Sequence, residues 1–158
     1  MKQFLLFFLL SFLAACGSNE TDTSATPEQN WFDTDTLIVW NCDAVTESRS
    51  RIFIPQDSIT SAQAIVNGIN KTWPEVVLLL KMISADTAVV TLDQPQWLEN
   101  KAGSTGAEQY LTFVSMNLLE VKGINYVRFD LPEGSHAGAS TWSRNDFMDW
   151  KINTRSGN

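Results

Sequence analysis

Two cysteines and a single histidine are the side chains of this sequence with the widest range of chemistry. Cys42 follows the apolar run LIVW at 37–40, and His136 follows the last predicted strand. A thiolate nucleophile needs an imidazole base beside it, so Cys42 and His136 form a candidate catalytic dyad. No protease-type signature surrounds either residue. We therefore favour a packed thiol and a surface histidine, and predict no catalytic residue.

Cys16 stands at the end of a different pattern. Lys2 precedes a largely apolar stretch over 4–13, and the segment 13–17 is LAACG. The stretch is too short to span a bilayer and has the length of the apolar region of a signal peptide. Small residues leading into a cysteine are typical of a bacterial lipobox, in which the thiol receives a diacylglyceryl group and the chain is cut before it. We predict a signal peptide at 1–15 and lipidation at Cys16.

The lipidation site predicts where the protein is located. Several acyl chains on Cys16 would give stable anchoring in a membrane. The expected location is the bacterial cell envelope, on the periplasmic face of the outer membrane if the host is Gram-negative. The membrane is thus one predicted partner, reached through the lipid rather than through the protein surface.

The charge of the chain excludes one class of partner. Removing residues 1–15 takes away Lys2 from 11 basic side chains and nothing from 18 acidic ones, so the net charge goes from −7 to −8. Nucleic acid is bound by clustered Lys and Arg, and the phosphates would be repelled here. We expect no nucleic-acid binding.

Metal-binding patterns are missing from the sequence. One histidine, one unlipidated cysteine and scattered acids have no metal-site spacing, so no metal and no cofactor is predicted. Gly103, Ser104, Thr105 and Gly106 open the longest predicted helix, where free backbone amides favour anions. Ser104 or Thr105 acting as a helix cap explains the same segment without a ligand. Both interpretations of the segment stay open.

Apolar spacing and turn residues predict one domain with an α+β fold. The polar segment 16–30 predicts the lipid anchor and a flexible tether, 31–150 the domain, and 151–158 a frayed tail. In the first part of the domain we predict a strand at 37–40, a short strand at 51–54, a helix capped at 60–63 and a hairpin of strands at 75–83 and 87–92. In the second part we predict a helical turn at 96–100, a helix from 103 to about 121 stopped by Gly123, and a last strand at 124–131. With both helices on one face of a small sheet, this is a two-layer sandwich whose core order is strand-helix-strand-strand-helix-strand.

The second half of the domain resembles a known family. Three stretches carry the resemblance: Val90-Thr91-Leu92, then Gly103 to Ala107 at the start of a long helix, then Gly123 to Phe129 leading to Gly134. They resemble the sporulation and spore-germination domain called GerMN. The likeness covers roughly Leu37 to Gly134. Such domains share the element order given above, and many lie on envelope lipoproteins or other anchored chains. The resemblance implies protein assembly or interaction at the cell envelope, without catalytic residues.

A loop near the C-terminus is the predicted recognition surface. The segment 133–144 contains Glu133, His136, Trp142 and Arg144, and Trp and Arg are favoured at interface hot spots. The simpler alternative is that the loop only seals the edge of the sheet. The expected function is a non-enzymatic envelope lipoprotein that binds an envelope protein or a cell-wall component. A small-anion-binding lipoprotein and a Cys/His-dependent enzyme are the alternatives.

Overall fold

A computed structural model of the chain describes residues 35–132 and 138–153. The predicted signal peptide, Cys16 and the tether lie outside the described residues, as do Glu133 and His136. The strands and long helices in chain order are β1 Trp40–Asp43, β2 Ser48–Arg51, α1 Ala62–Thr72, β3 Leu78–Ser84, β4 Thr87–Leu92, α2 Gly103–Leu118, β5 Tyr126–Phe129, β6 Ser140–Ser143 and β7 Lys151–Ile152. A π-helical turn at Leu98–Ala102 precedes α2, and a 3-10 turn at Arg144–Phe147 follows β6.

A four-stranded sheet in the order β3-β4-β5-β6 forms one layer of the domain. β3 and β4 are the predicted antiparallel hairpin, β5 runs parallel to β4, and β6 runs antiparallel to β5. Alternation along β4 and β5 turns Ala88, Val90, Val127 and Phe129 to one face, where all four are buried. Both helices share a continuous hydrophobic core with this face. The predicted α+β class is confirmed.

The helix α1 begins one residue later than its predicted cap. Ser61, rather than Thr60, is the N-cap, and its Oγ accepts a hydrogen bond from the Ala64 amide at 3.1 Å. The chain crosses this helix closely at Gly68, because a Cβ there would lie 2.3 Å from the Leu37 carbonyl oxygen. Segment 35–39 therefore packs on α1 before β1 starts.

The helix α2 has the predicted buried stripe but a different beginning. Tyr110, Leu111, Val114 and Leu118 are all at most 5% exposed. The helix starts directly after the π-helical turn, and no side chain caps it. The capping role predicted for Ser104 or Thr105 is therefore wrong, since both lie inside the first turn. The helix also ends at Leu118 instead of continuing to about Val121.

A second sheet, with three strands in the order β1-β2-β7, is absent from the sequence prediction. The strand expected at 37–40 begins at Trp40 and lies at the edge of this sheet, and the strand expected at 51–54 lies earlier, at Ser48–Arg51. β7 pairs in parallel with β2, so the predicted frayed tail begins with a strand. These strands are short and polar, and they are defined by pairing with distant segments rather than by apolar alternation.

The predicted recognition loop also contains a strand. Ser140–Ser143 pairs with β5, so 124–131 does not contain the last strand of the domain and 133–144 is not a loop throughout. A segment of Ser and Thr around one Trp has no apolar alternation that would have indicated this strand.

Side-chain amides of α2 hold β1 along the edge that no strand occupies. Asn117 is fully buried, and its Oδ1 accepts hydrogen bonds from the Val39 and Trp40 amides at 2.8 and 2.9 Å. Its Nδ2 donates to the Trp40 carbonyl at 3.1 Å. Two turns earlier, Gln109 Oε1 accepts from the Ala44 amide at 2.7 Å, and Nε2 donates to the Cys42 carbonyl at 2.7 Å. β1 is therefore hydrogen-bonded on both sides.

Replacing Asn117 with Ala should destabilise the domain strongly. The buried amides of Val39 and Trp40 and the Trp40 carbonyl would lose their partner, and each such group costs about 1–3 kcal/mol. Because the neighbouring groups relax in part, we expect the free energy of unfolding in urea to fall by ~2–5 kcal/mol. The exposed Asn145→Ala is the matched control and should stay within ~0.5 kcal/mol of the parent protein. Equal losses in the two variants would contradict this role of Asn117.

Candidate functional site

A cavity of about 390 Å³ lies where the three-stranded sheet meets the end of α2 and the 3-10 turn. It is lined by Trp40, Arg49, Arg51, Met116, Leu119, Glu120, Arg144, Phe147, Met148 and Ile152. We call this cavity the arginine pocket. Three of the five arginines in the sequence line it.

The register of β1 against β2 places two arginines beside a tryptophan. Arg51 lies opposite Trp40, and Arg49 lies opposite Cys42, so alternation turns both arginines to the face of Trp40. The guanidinium carbons of Arg49 and Arg51 lie 5.0 and 4.5 Å from the centroid of the indole ring. Cation–π contacts of this kind stabilise by about 0.5–2 kcal/mol, more as the site loses water.

The charges of the arginine pocket are unbalanced. Glu120 is the one acidic lining residue, and its carboxylate lies 3.5 Å from the Arg51 guanidinium. The Arg49 side chain makes no hydrogen bond or ion pair with any described residue, and its Nε is buried without an acceptor. Three guanidinium groups therefore face a single carboxylate, within a chain whose net charge is −7.

Arg144, one of the predicted recognition residues, forms a wall of the arginine pocket. Its guanidinium donates hydrogen bonds to the carbonyl oxygens of Leu119 and, at 3.0 Å, Ile124. A cation at this end of α2 also interacts favourably with the helix dipole. Arg144 therefore fixes the chain after α2 against the 3-10 turn while adding positive charge to the site.

Trp142, the second described member of the predicted recognition surface, packs beside the arginine pocket without lining it. Its ring stacks on Phe147 with centroids 5.6 Å apart and an interplanar angle of 9°. Its Nε1 donates to Ser140 Oγ at 3.1 Å. Trp142 thus covers the edge of the core, which is the simpler interpretation of this segment.

The predicted anion site at Gly103, Ser104, Thr105 and Gly106 lies far from these arginines. Those residues form the first turn of α2, and the arginine pocket lies at the last turn. Sixteen residues at 1.5 Å each put the two ends of α2 roughly 24 Å apart. The segment and the arginine pocket are therefore separate places in the fold.

Cys42 is held in an environment that suppresses nucleophilic chemistry. The thiol is buried, its Sγ lies 3.7 Å from Gln109 Nε2, and burial raises the pKa of Cys42 to about 12. The hydrogen bond from Gln109 opposes this shift and the charge of Asp43 adds to it. At neutral pH the thiol is therefore protonated, which removes the thiolate that the predicted dyad with His136 requires. His136 itself lies outside the described residues.

Within residues 35–132 and 138–153, no three His, Cys, Asp or Glu side chains are grouped so that they could hold a metal ion. The same part of the chain has no helix with the length and apolar character needed to cross a membrane.

Comparison with known proteins gives no relative for this chain: no family model, curated protein or solved structure matches it. The resemblance to the GerMN domain, and what it implies, stays a prediction from the residues quoted above.

Sequence reasoning missed Trp40, Arg49 and Arg51 as site residues. The signal that could have indicated them is the spacing in SRSR at 48–51, because arginines two apart on a strand point to the same face. Placing that face against Trp40 requires the pairing of β1 with β2, which the sequence does not indicate.

The buried thiol predicts a loss of stability in alkaline solution. The folded protein holds the Cys42 proton more tightly than the unfolded chain does. The stability that the protonated Cys42 thiol contributes is therefore complete below about pH 9 and is lost as the pH rises toward 12. The free energy of unfolding should fall by at most about 1.4 kcal/mol per pH unit from this group. Burial also raises the pKa of Tyr110, which adds to the fall at higher pH.

Urea unfolding of the parent protein and of Cys42→Ala at pH 8, 9 and 10 measures this contribution. The variant should show the shallower decline between pH 9 and 10. Identical slopes would mean that the Cys42 thiol titrates alike in the folded and unfolded chain.

Proposed function

We propose that this protein is a lipid-anchored, non-enzymatic binding module of the bacterial envelope, and that the arginine pocket is where it meets an acidic group of its partner. The partner is an envelope protein or a cell-wall component. The sequence LAACG at 13–17 supports the anchor at Cys16. The unbalanced charge of the arginine pocket is the observation that carries the proposed binding role.

The environment of Arg49 favours binding at this place. A guanidinium without an acceptor next to an aromatic ring combines the side chains that dominate interface hot spots. Two apolar lining residues, Met148 and Ile152, are 70% and 59% exposed. A partner that covers them would bury apolar area and at the same time supply the missing acceptor.

The ionisable groups of the arginine pocket suit recognition better than proton transfer. Guanidinium groups stay protonated at all ordinary pH values, so they bind anions but do not act as general bases. Glu120, the remaining ionisable lining residue, lies beside Arg51. This composition supports a binding role in place of a catalytic one.

The anchor is tested by metabolic labelling with an alkyne fatty acid in a bacterial host. The parent protein and Cys42→Ser should incorporate the label and stay with the membranes after a high-salt wash. Cys16→Ser should lose the label, because no other cysteine follows a lipobox. Labelling of the Cys16 variant would refute lipidation at this residue.

The binding role is tested by placing a photo-cross-linking residue at Met148 in living cells. We expect one discrete cross-linked species, and its loss when Arg49 and Arg51 are both replaced by Gln, because the acidic group of the partner would no longer be held. A cross-linker at the exposed Glu108, near the other end of α2, is the control and should not give this species. A species that persists in the double variant would exclude the arginine pocket as the binding site.

A further inference from the structure

The arginine pocket presents two kinds of surface to a ligand. On one side, Arg49 and Arg51 offer N–H donors above the Trp40 ring. On the other side stand thioether, aliphatic and aromatic side chains, contributed by Met116, Leu119, Phe147, Met148 and Ile152. A ligand that uses both surfaces must itself have an acidic end and an apolar part.

The number of free charges favours a monoanion. Arg144 already donates to two backbone carbonyls, and Glu120 balances part of the charge of Arg51 at 3.5 Å. Arg49 is the lining cation whose guanidinium has no hydrogen bond or ion pair with a described residue. The Glu120 carboxylate would repel a doubly charged phosphate more strongly than a singly charged group. The planar fork of an arginine also fits the two oxygens of a carboxylate.

The size of the arginine pocket limits the ligand to a small group. A volume of about 390 Å³ is at the low end for pockets that bind small molecules. It can take a carboxylate with one apolar side group or a short hydrocarbon chain.

We infer that the arginine pocket binds a carboxylate joined to an apolar group, held by Arg49 and Arg51 over Trp40 with its apolar part against Met148 and Ile152. This inference deepens the proposed function and rests on it. Two sources present the same chemistry: the C-terminal end of a peptide with an apolar last residue, and a short fatty acid.

The inference is tested by calorimetric titration of the full lipidated chain in nanodiscs. The probes are N-acetyl-leucine, hexanoate, inorganic phosphate and the uncharged N-acetyl-leucine amide. At least one of the two acids should bind. If N-acetyl-leucine binds, its uncharged amide should bind at least roughly tenfold more weakly, because a hydrogen bond to a charged group is lost. Tighter binding of N-acetyl-leucine identifies a peptide end as the source, and tighter binding of hexanoate identifies a fatty acid.

Three substitutions locate the binding. Arg49→Gln and Arg51→Gln should each lower the affinity for the tighter-binding acid by roughly tenfold or more. Arg49→Lys keeps the charge without the fork and should fall between the parent protein and Arg49→Gln. Arg128→Gln removes the same charge from an exposed position on β5 and should change the affinity less than twofold. Circular dichroism of each variant establishes that the fold is kept.

Several outcomes would overturn the inference. Phosphate could bind more tightly than both acids, or N-acetyl-leucine and its amide could bind equally well. Arg128→Gln could lower the affinity as much as Arg49→Gln and Arg51→Gln do, or neither acid could bind at millimolar concentration. If the Met148 cross-link still depends on Arg49 and Arg51 in that case, the proposed function stands and only the ligand class is wrong. If the cross-link also persists in the double variant, the proposed binding site is wrong as well.

Discussion

The whole three-stranded sheet depends on how one helix satisfies the open edge of β1. Buried backbone amides and carbonyls need partners, and β1 has a strand on one side only. Asn117 and Gln109 supply the missing partners from α2. The spacing fits: eight residues of helix rise about 12 Å, and the three to four strand residues between the two contact points span about the same length. The amide side chains thus fix both the position and the register of β1.

The geometry of the arginine pocket follows from this attachment. β1 carries Trp40, and its pairing with β2 brings Arg49 and Arg51 to the same face. β7 then pairs with β2 and carries Ile152 to the rim. The pocket is therefore assembled from segments more than 90 residues apart in the chain, and Asn117 and Gln109 of α2 join its β1 wall to the core.

This long-range assembly explains which features the sequence could predict. The α2 stripe at Tyr110, Leu111, Val114 and Leu118 and the hairpin of β3 and β4 have local apolar patterns, and both were predicted. β2, β6 and β7 are short and polar, so their pairing with distant strands decided their structure. Arg144 was predicted for its residue type, whereas Arg49 and Arg51 were not, because charged residues on a polar segment more often indicate exposed backbone. Asn117 likewise interrupts the apolar stripe of a helix without any local sign of its role.

If the arginine pocket binds the proposed ligand, the charge distribution of the chain would make it selective. The chain as a whole is acidic, so its long-range field repels acidic ligands, and attraction begins only near the arginines. Guanidinium groups are weakly hydrated and stack on aromatic rings, which lets Trp40 hold two of them close together at modest desolvation cost. A simple anion gains little at such a site because the surrounding charge opposes it. A ligand that also buries apolar surface on Met148 and Ile152, as we propose, would gain the free energy that offsets this opposition, so selectivity would come from the combination of the two surfaces.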